Sequence, residues 1–206
     1  MSKKPPYPYR TQPPSPPRKP AGGGGTNESF SDEERRVREQ VSKVVYELWV
    51  KFNELFTKSD EIDTGMDLLW QELIDVYVEA VEAKKTGDIV KLRSLIPRAE
   101  KLVDELLKKL EVAREFTDQV FVIWPSIEKE TINRIKDILN ASSLPKDIRR
   151  KLYKEYVINA MEKIDQIGPP ISTFGLWYSY YESQFTSILE EMKKMEAELS
   201  RSYKKV

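Results

Sequence analysis

The chain has 206 residues, with 34 basic and 34 acidic side chains, and it contains neither cysteine nor histidine. That composition excludes disulfides, thiol nucleophiles, histidine acid–base pairs and the usual zinc ligand sets, and leaves carboxylate-only chemistry open. No run of about 18 apolar residues occurs and no apolar stretch lies near the start, so neither a membrane-crossing helix nor a secretory signal is expected.

Residues 1–30, MSKKPPYPYRTQPPSPPRKPAGGGGTNESF, hold eight of the 13 prolines within their first 20 positions, then four glycines at Gly22–Gly25. Five cations, Lys3, Lys4, Arg10, Arg18 and Lys19, stand against one acid, Glu28, which makes this arm +4. Residues 31–206, with 29 basic and 33 acidic side chains, carry the compensating −4. So few large apolar residues cannot bury a core, and the prolines favour an extended polyproline II arm on a glycine joint. Its composition has three readings. Spaced cations and the rings of Tyr7 and Tyr9 suit contact with a nucleic-acid backbone. Pro13–Arg18 contains PxxPxR, a pattern that suits SH3 grooves. The third is a solubilising tail.

Residues 31–206 are expected to form one all-α domain. The spacing predicts a first helix from Ser31, with Glu34 completing a capping box. Val37, Val41, Val44, Val45, Leu48, Phe52, Leu55 and Phe56 recur at a helical period. Lys58–Thr64 reads as an acidic turn, and a second helix is expected from about Gly65 to Lys85, ended by Gly87. Asp88 would cap a third element running to about Phe116, which Pro97 would kink or restart. A short segment Gln119–Trp124 follows Asp118, with a break or a helix first turn at Pro125. VFVIW is the only strand candidate, and Ile127–Leu139 is amphipathic again. Asn140–Leu144 reads as a loop, and Pro145 suits the first position of a helix to Ile167, stopped by Gly168–Pro169–Pro170. The last helix is expected over about Thr173–Lys204. Phe174, Tyr178, Tyr181, Phe185, Ile188, Met192, Met195 and Leu199 repeat at alternating steps of four and three, a heptad seam suited to a bundle or an intersubunit contact.

No phosphate-binding loop and no HExxH occurs. Asp60, Glu61, Asp63 and Asp67 cluster, but lack calcium-loop spacing and read as an interhelical turn ahead of a metal site. No catalytic residue, metal or cofactor is expected. Arg35, Arg36 and Arg38 in the first helical turns oppose the macrodipole and hint at an anionic partner, while Asp32, Glu33 and Glu34 offer an ordinary balanced surface instead. Lys146, Arg150 and Lys154 fall at i, i+4 and i+8 on one face with Arg149 beside them, and Arg134 and Lys136 precede them. A nucleic-acid groove and a solvated face explain that stripe equally well. Lys84, Lys85, Lys108 and Lys109 look like generic surface. The run Phe174, Trp177, Tyr178, Tyr180 and Tyr181 reads as core or subunit contact ahead of a lipid interface.

A cysteine- and histidine-free helical body behind SKKPPYPYR…PPRKP and a glycine hinge resembles, in overall organisation, the capsid proteins of enveloped filamentous viruses of hyperthermophilic archaea, the lipothrixvirus type. The resemblance implies a helical subunit that pairs with a paralogous capsid subunit. Such pairs wrap linear double-stranded DNA held in A-form, inside a lipid envelope, in a virion assembled in the host cytoplasm. The DNA contacts expected here come from charge placement: Lys3, Lys4, Arg10, Arg18, Lys19, Arg35, Arg36, Arg38, Lys146, Arg149, Arg150 and Lys154. Subunit contacts are expected from Phe174, Trp177, Tyr178, Tyr181, Met192, Met195 and Leu199. The reading is a structural, non-enzymatic protein that coats DNA without reading its sequence. The alternative is a helical adaptor whose PxxPxR arm docks an SH3-like domain.

Overall fold

The computed structural model describes residues 31–203, and every regular element among them is helical. The arm and its five cations lie outside the described residues. Helix α1 spans Asp32–Thr86, α2 Ile89–Ala141, α3 Lys146–Tyr153, α4 Asn159–Ile167, α5 Thr173–Leu176 and α6 Tyr178–Tyr203. A π-helical turn, Lys154–Ile158, joins α3 to α4. None of the described helices is long and apolar enough to cross a membrane.

The helix ends follow local capping chemistry. The Glu34 amide donates to Ser31 Oγ at 3.1 Å, but the Glu34 carboxylate turns to Arg38, so only half of the expected capping box forms. Gly87 takes φ 75°, the left-handed region that ends a helix, and Asp88 Oδ1 accepts the Lys91 amide at 2.8 Å to start α2. Gly168 ends α4 at φ 87°. Pro145 stands one position before its expected place, as the extended residue capping α3.

Four expected breaks are absent, among them the one between Phe116 and a segment capped by Asp118, since α2 runs through both. Lys58–Thr64 is not a turn; it is continuous helix within α1. Two of its polar side chains are used at long range: Ser59 Oγ donates to the Ile171 carbonyl at 2.7 Å, and Asp63 accepts from Ser172 and Thr173. Pro97 and Pro125 neither end nor restart α2, and VFVIW is helical. Both prolines lie on the exposed face, as do Arg93 and Phe121, whose carbonyls lose the proline hydrogen bond and can be hydrated there. A break does appear at Trp177, which separates α5 from α6.

The described residues divide into two compact units. One comprises the chain up to Phe56 with Val120–Pro170; the other comprises Thr57–Gln119 with the chain from Ile171 onward. In the first, Leu48, Phe52, Ile135, Leu152 and Ile164 are fully buried, and the Trp124 ring meets Phe52 edge-on at 5.4 Å. The π turn has a packing cause. Leu152 and Val157 are both buried five residues apart, a spacing that an α-helix would swing away from the core and a wider turn restores. In the second unit, Leu73, Leu92, Leu106 and Leu110 of the long helices surround Phe174, Tyr181, Phe185, Met192 and Met195. Phe174 stacks at 4.4 Å on Tyr181, and Trp70 packs at 5.0 Å on Phe185.

Candidate nucleic-acid interface

The basic stripe survives folding as an exposed row. Lys146–Lys154 holds five cations against the single acid Asp147. Leu152 and Val157 turn inward, so Lys146, Arg150 and Lys154 project to solvent, and none of the three forms an ion pair among the described residues. Arg149 is half-buried, with its Nε fully enclosed and lacking a hydrogen-bond partner. Arg134 does not extend the free row: it pairs with Glu47 at 2.9 Å.

The helix-start arginines have a different environment. Arg35 approaches Asp32 at 3.7 Å, and Arg36 holds Glu33 at 2.8 Å. Arg38, whose side chain is only 14% exposed, binds Glu34 at 3.0 Å and Glu155 through both carboxylate oxygens. Burial pulls its pKa down, but hydrogen bonds with Tyr156, Glu34 and Glu155 outweigh that and hold the guanidinium above its ordinary value. Three of these partners, Asp32, Glu33 and Glu34, were visible as i−3 and i−4 acids on the same helix; Glu155 joins only through the fold. All three arginines already face carboxylates, whereas Lys146, Arg150 and Lys154 do not among the described residues.

Charge also separates along the chain. The first unit without the arm has 14 basic and 13 acidic side chains, while Thr57–Gln119 and Ile171–Val206 together have 15 and 20. The +4 arm and the stripe therefore fall in the basic portion of the chain, and the excess acid belongs to the other unit.

The aromatic run divides at Trp177. Phe174 and Tyr181 are core, as are Met192 and Met195, and Tyr178 and Leu199 pack partly buried against that core. These seam residues meet helices of their own chain, while Trp177, outside the seam period, is 54% exposed. The acidic cluster offers no metal site: no group of three or more acidic residues is placed to hold a metal ion among the described residues. Asp63, 7% exposed, instead accepts the Ser172 hydroxyl at 2.6 Å and the Thr173 amide at 3.0 Å, while Ser172 Oγ accepts the Gly175 amide. An open depression of about 400 Å³ between Arg36, Val37, Gln40, Asp137, Ile138, Ala141 and Ser142 gathers one carboxylate and one arginine, without the convergent groups a reaction needs.

The geometry defines a helical protein whose notable chemistry is electrostatic. Comparison with known proteins gives no matching family, no matching curated protein and no matching solved structure.

Proposed function

We propose that the protein is a structural nucleocapsid subunit that assembles into a helical filament around linear double-stranded DNA, through phosphate contacts that ignore base sequence. The observation that carries this reading is the row Lys146, Arg150 and Lys154: exposed cations with no carboxylate partner among the described residues, most of whose other arginines are paired. A cation without an internal partner gives up no ion pair when it meets a phosphate, and it releases condensed counterions when it does. The arm cations Lys3, Lys4, Arg10, Arg18 and Lys19 add to the same field, and Arg149 lies beside the row. A paralogous partner subunit, A-form DNA, a lipid envelope and a place in a virion belong to this reading through its resemblance to lipothrixvirus-type capsids. Catalysis has no part in it.

The test replaces Lys146, Arg150 and Lys154 with Gln and measures affinity for unrelated linear duplexes across a salt series. Three phosphate contacts contribute roughly −2.7 to the slope of log K against log salt, at about −0.9 each. The variant should lose that part of the slope equally on every duplex, and electron microscopy should show fewer DNA-dependent filaments. Unchanged affinity and slope would return the row to ordinary solvated surface.

A further inference from the structure

The second unit carries an exposed tryptophan on a rigid mount. Trp49, Trp70 and Trp124 are all buried, whereas Trp177 is 54% and its neighbour Leu176 50% exposed. This exposure is not a loose loop. Ser59 and Asp63 of α1 hold Ile171, Ser172 and Thr173, and the Gly175 backbone sits so close to α2 that a Cβ there would overlap the Ala113 carbonyl and Thr117 Oγ1. The Trp177 amide donates to the Thr173 carbonyl, and its own carbonyl accepts the Tyr181 amide. Holding a large aromatic in water on a fixed backbone is the arrangement found at binding hot spots.

The surroundings specify what would cover it. Val112 is 55% exposed on the α2 stretch that receives Gly175. Glu182 on α6 is exposed, accepts the Tyr178 hydroxyl at 3.5 Å and forms no ion pair among the described residues. Tyr178 is already engaged: Arg114 lies over its ring at 4.8 Å. An exposed aromatic and aliphatic pair, in a unit with an excess of acid, fits a proline-rich, cationic peptide, because prolines lie flat on aromatic rings and the cations answer the acids. This chain contains such a peptide. Residues 1–20 hold eight prolines, five cations and no acid.

We propose that the Leu176–Trp177 face docks the proline-rich arm, residues 1–20, of a second copy of the chain. The arm is +5 over these residues, and the unit bearing Trp177 has five more acidic than basic side chains. The PxxPxR segment then has its aromatic reader within the same sequence and needs no foreign SH3 domain. Arm-to-face contact is heterologous, so repeating it from copy to copy links an open-ended chain. The inference goes beyond the DNA reading and does not depend on it, since the contact forms without nucleic acid.

Because Trp177 is the one exposed tryptophan, acrylamide quenching of intrinsic fluorescence reads the face directly. The experiment uses the full chain, without DNA, at low salt and rising protein concentration. The accessible fraction of emission should fall several-fold as concentration rises and recover when salt is added. Sedimentation should show association over the same range. A variant with Pro13, Pro14, Pro16 and Pro17 changed to Ser, its cations intact, should stay quenchable and monomeric. Trp177→Phe should abolish the quenchable component, which verifies its source. Trp177 accessible at every concentration overturns the proposal. Protection independent of concentration overturns the second copy in favour of the chain's own arm, and protection that persists in the proline variant means another segment covers the face.

Discussion

Replacing Asp63 with Ala should be among the most destabilising single changes in the second unit. The side chain is 7% exposed and accepts two hydrogen bonds, from a Ser172 hydroxyl that is itself fully buried and from the Thr173 amide at the start of α5. Truncation removes both acceptors and leaves two donors without partners, at about 1–3 kcal/mol for each buried unsatisfied group. Partial relaxation brings the expected loss to about 2–4 kcal/mol, which for a chain of this size lowers the melting midpoint by about 4–16 °C, at about 2–4 °C per kcal/mol. Urea unfolding followed by circular dichroism measures the free energy, and calorimetry the midpoint. A double-mutant cycle with Ser172→Ala isolates the pair. Ser172 alone links Asp63 to the Gly175 amide, so the two changes should be non-additive by about 1–2 kcal/mol. A loss below about 0.5 kcal/mol for Asp63→Ala, or an additive cycle, would show that this buried carboxylate is not what pins the segment before Trp177.

Gly175→Ala tests the same mount by sterics. The new methyl meets a backbone carbonyl that cannot rotate away, so a loss of about 1–3 kcal/mol is expected, read as a lower melting midpoint; an unchanged midpoint would mean the close approach relaxes freely. Glu128 gives a pH dependence. Burial, reinforced by Asp165 and opposed by a hydrogen bond from Trp124, pushes its carboxyl above the ordinary range. The folded state then binds this proton more tightly than the unfolded state, so the contribution is fully present below the unfolded pKa and is lost as pH rises through the folded one. Glu128→Gln should therefore raise the melting midpoint at about pH 7, with the advantage shrinking toward about pH 4, where wild type is protonated too. An advantage equal at both pH values would assign the effect to something other than titration.

Ser31, Gly87, Asp88 and Gly168 were legible as helix ends because a cap acts through groups three or four residues away. The all-helical character was legible for the same reason, from the period of Val37 to Phe56 and of Phe174 to Leu199. The stripe's outward face followed from its i, i+4, i+8 spacing, and a local partner for each of the three helix-start arginines from acids one turn earlier. Other features needed partners that local sequence does not name. Lys58–Thr64 carries the composition of a turn, but Ser59 and Asp63 find their hydrogen bonds at Ile171, Ser172 and Thr173, over a hundred residues on, and the helix runs through. Proline content marks a break only if the lost hydrogen bond is costly, and at Pro97 and Pro125 the proline falls on the exposed face. A heptad seam fixes that α6 buries one side but not what it buries it against; Met192 and Met195 turn out to meet Leu92, Leu106 and their neighbours in the same chain. Periodicity is a property of consecutive residues, whereas the choice of burial partner, the pairing of a charge and the exposure of Trp177 are settled by segments that meet only when the chain is folded.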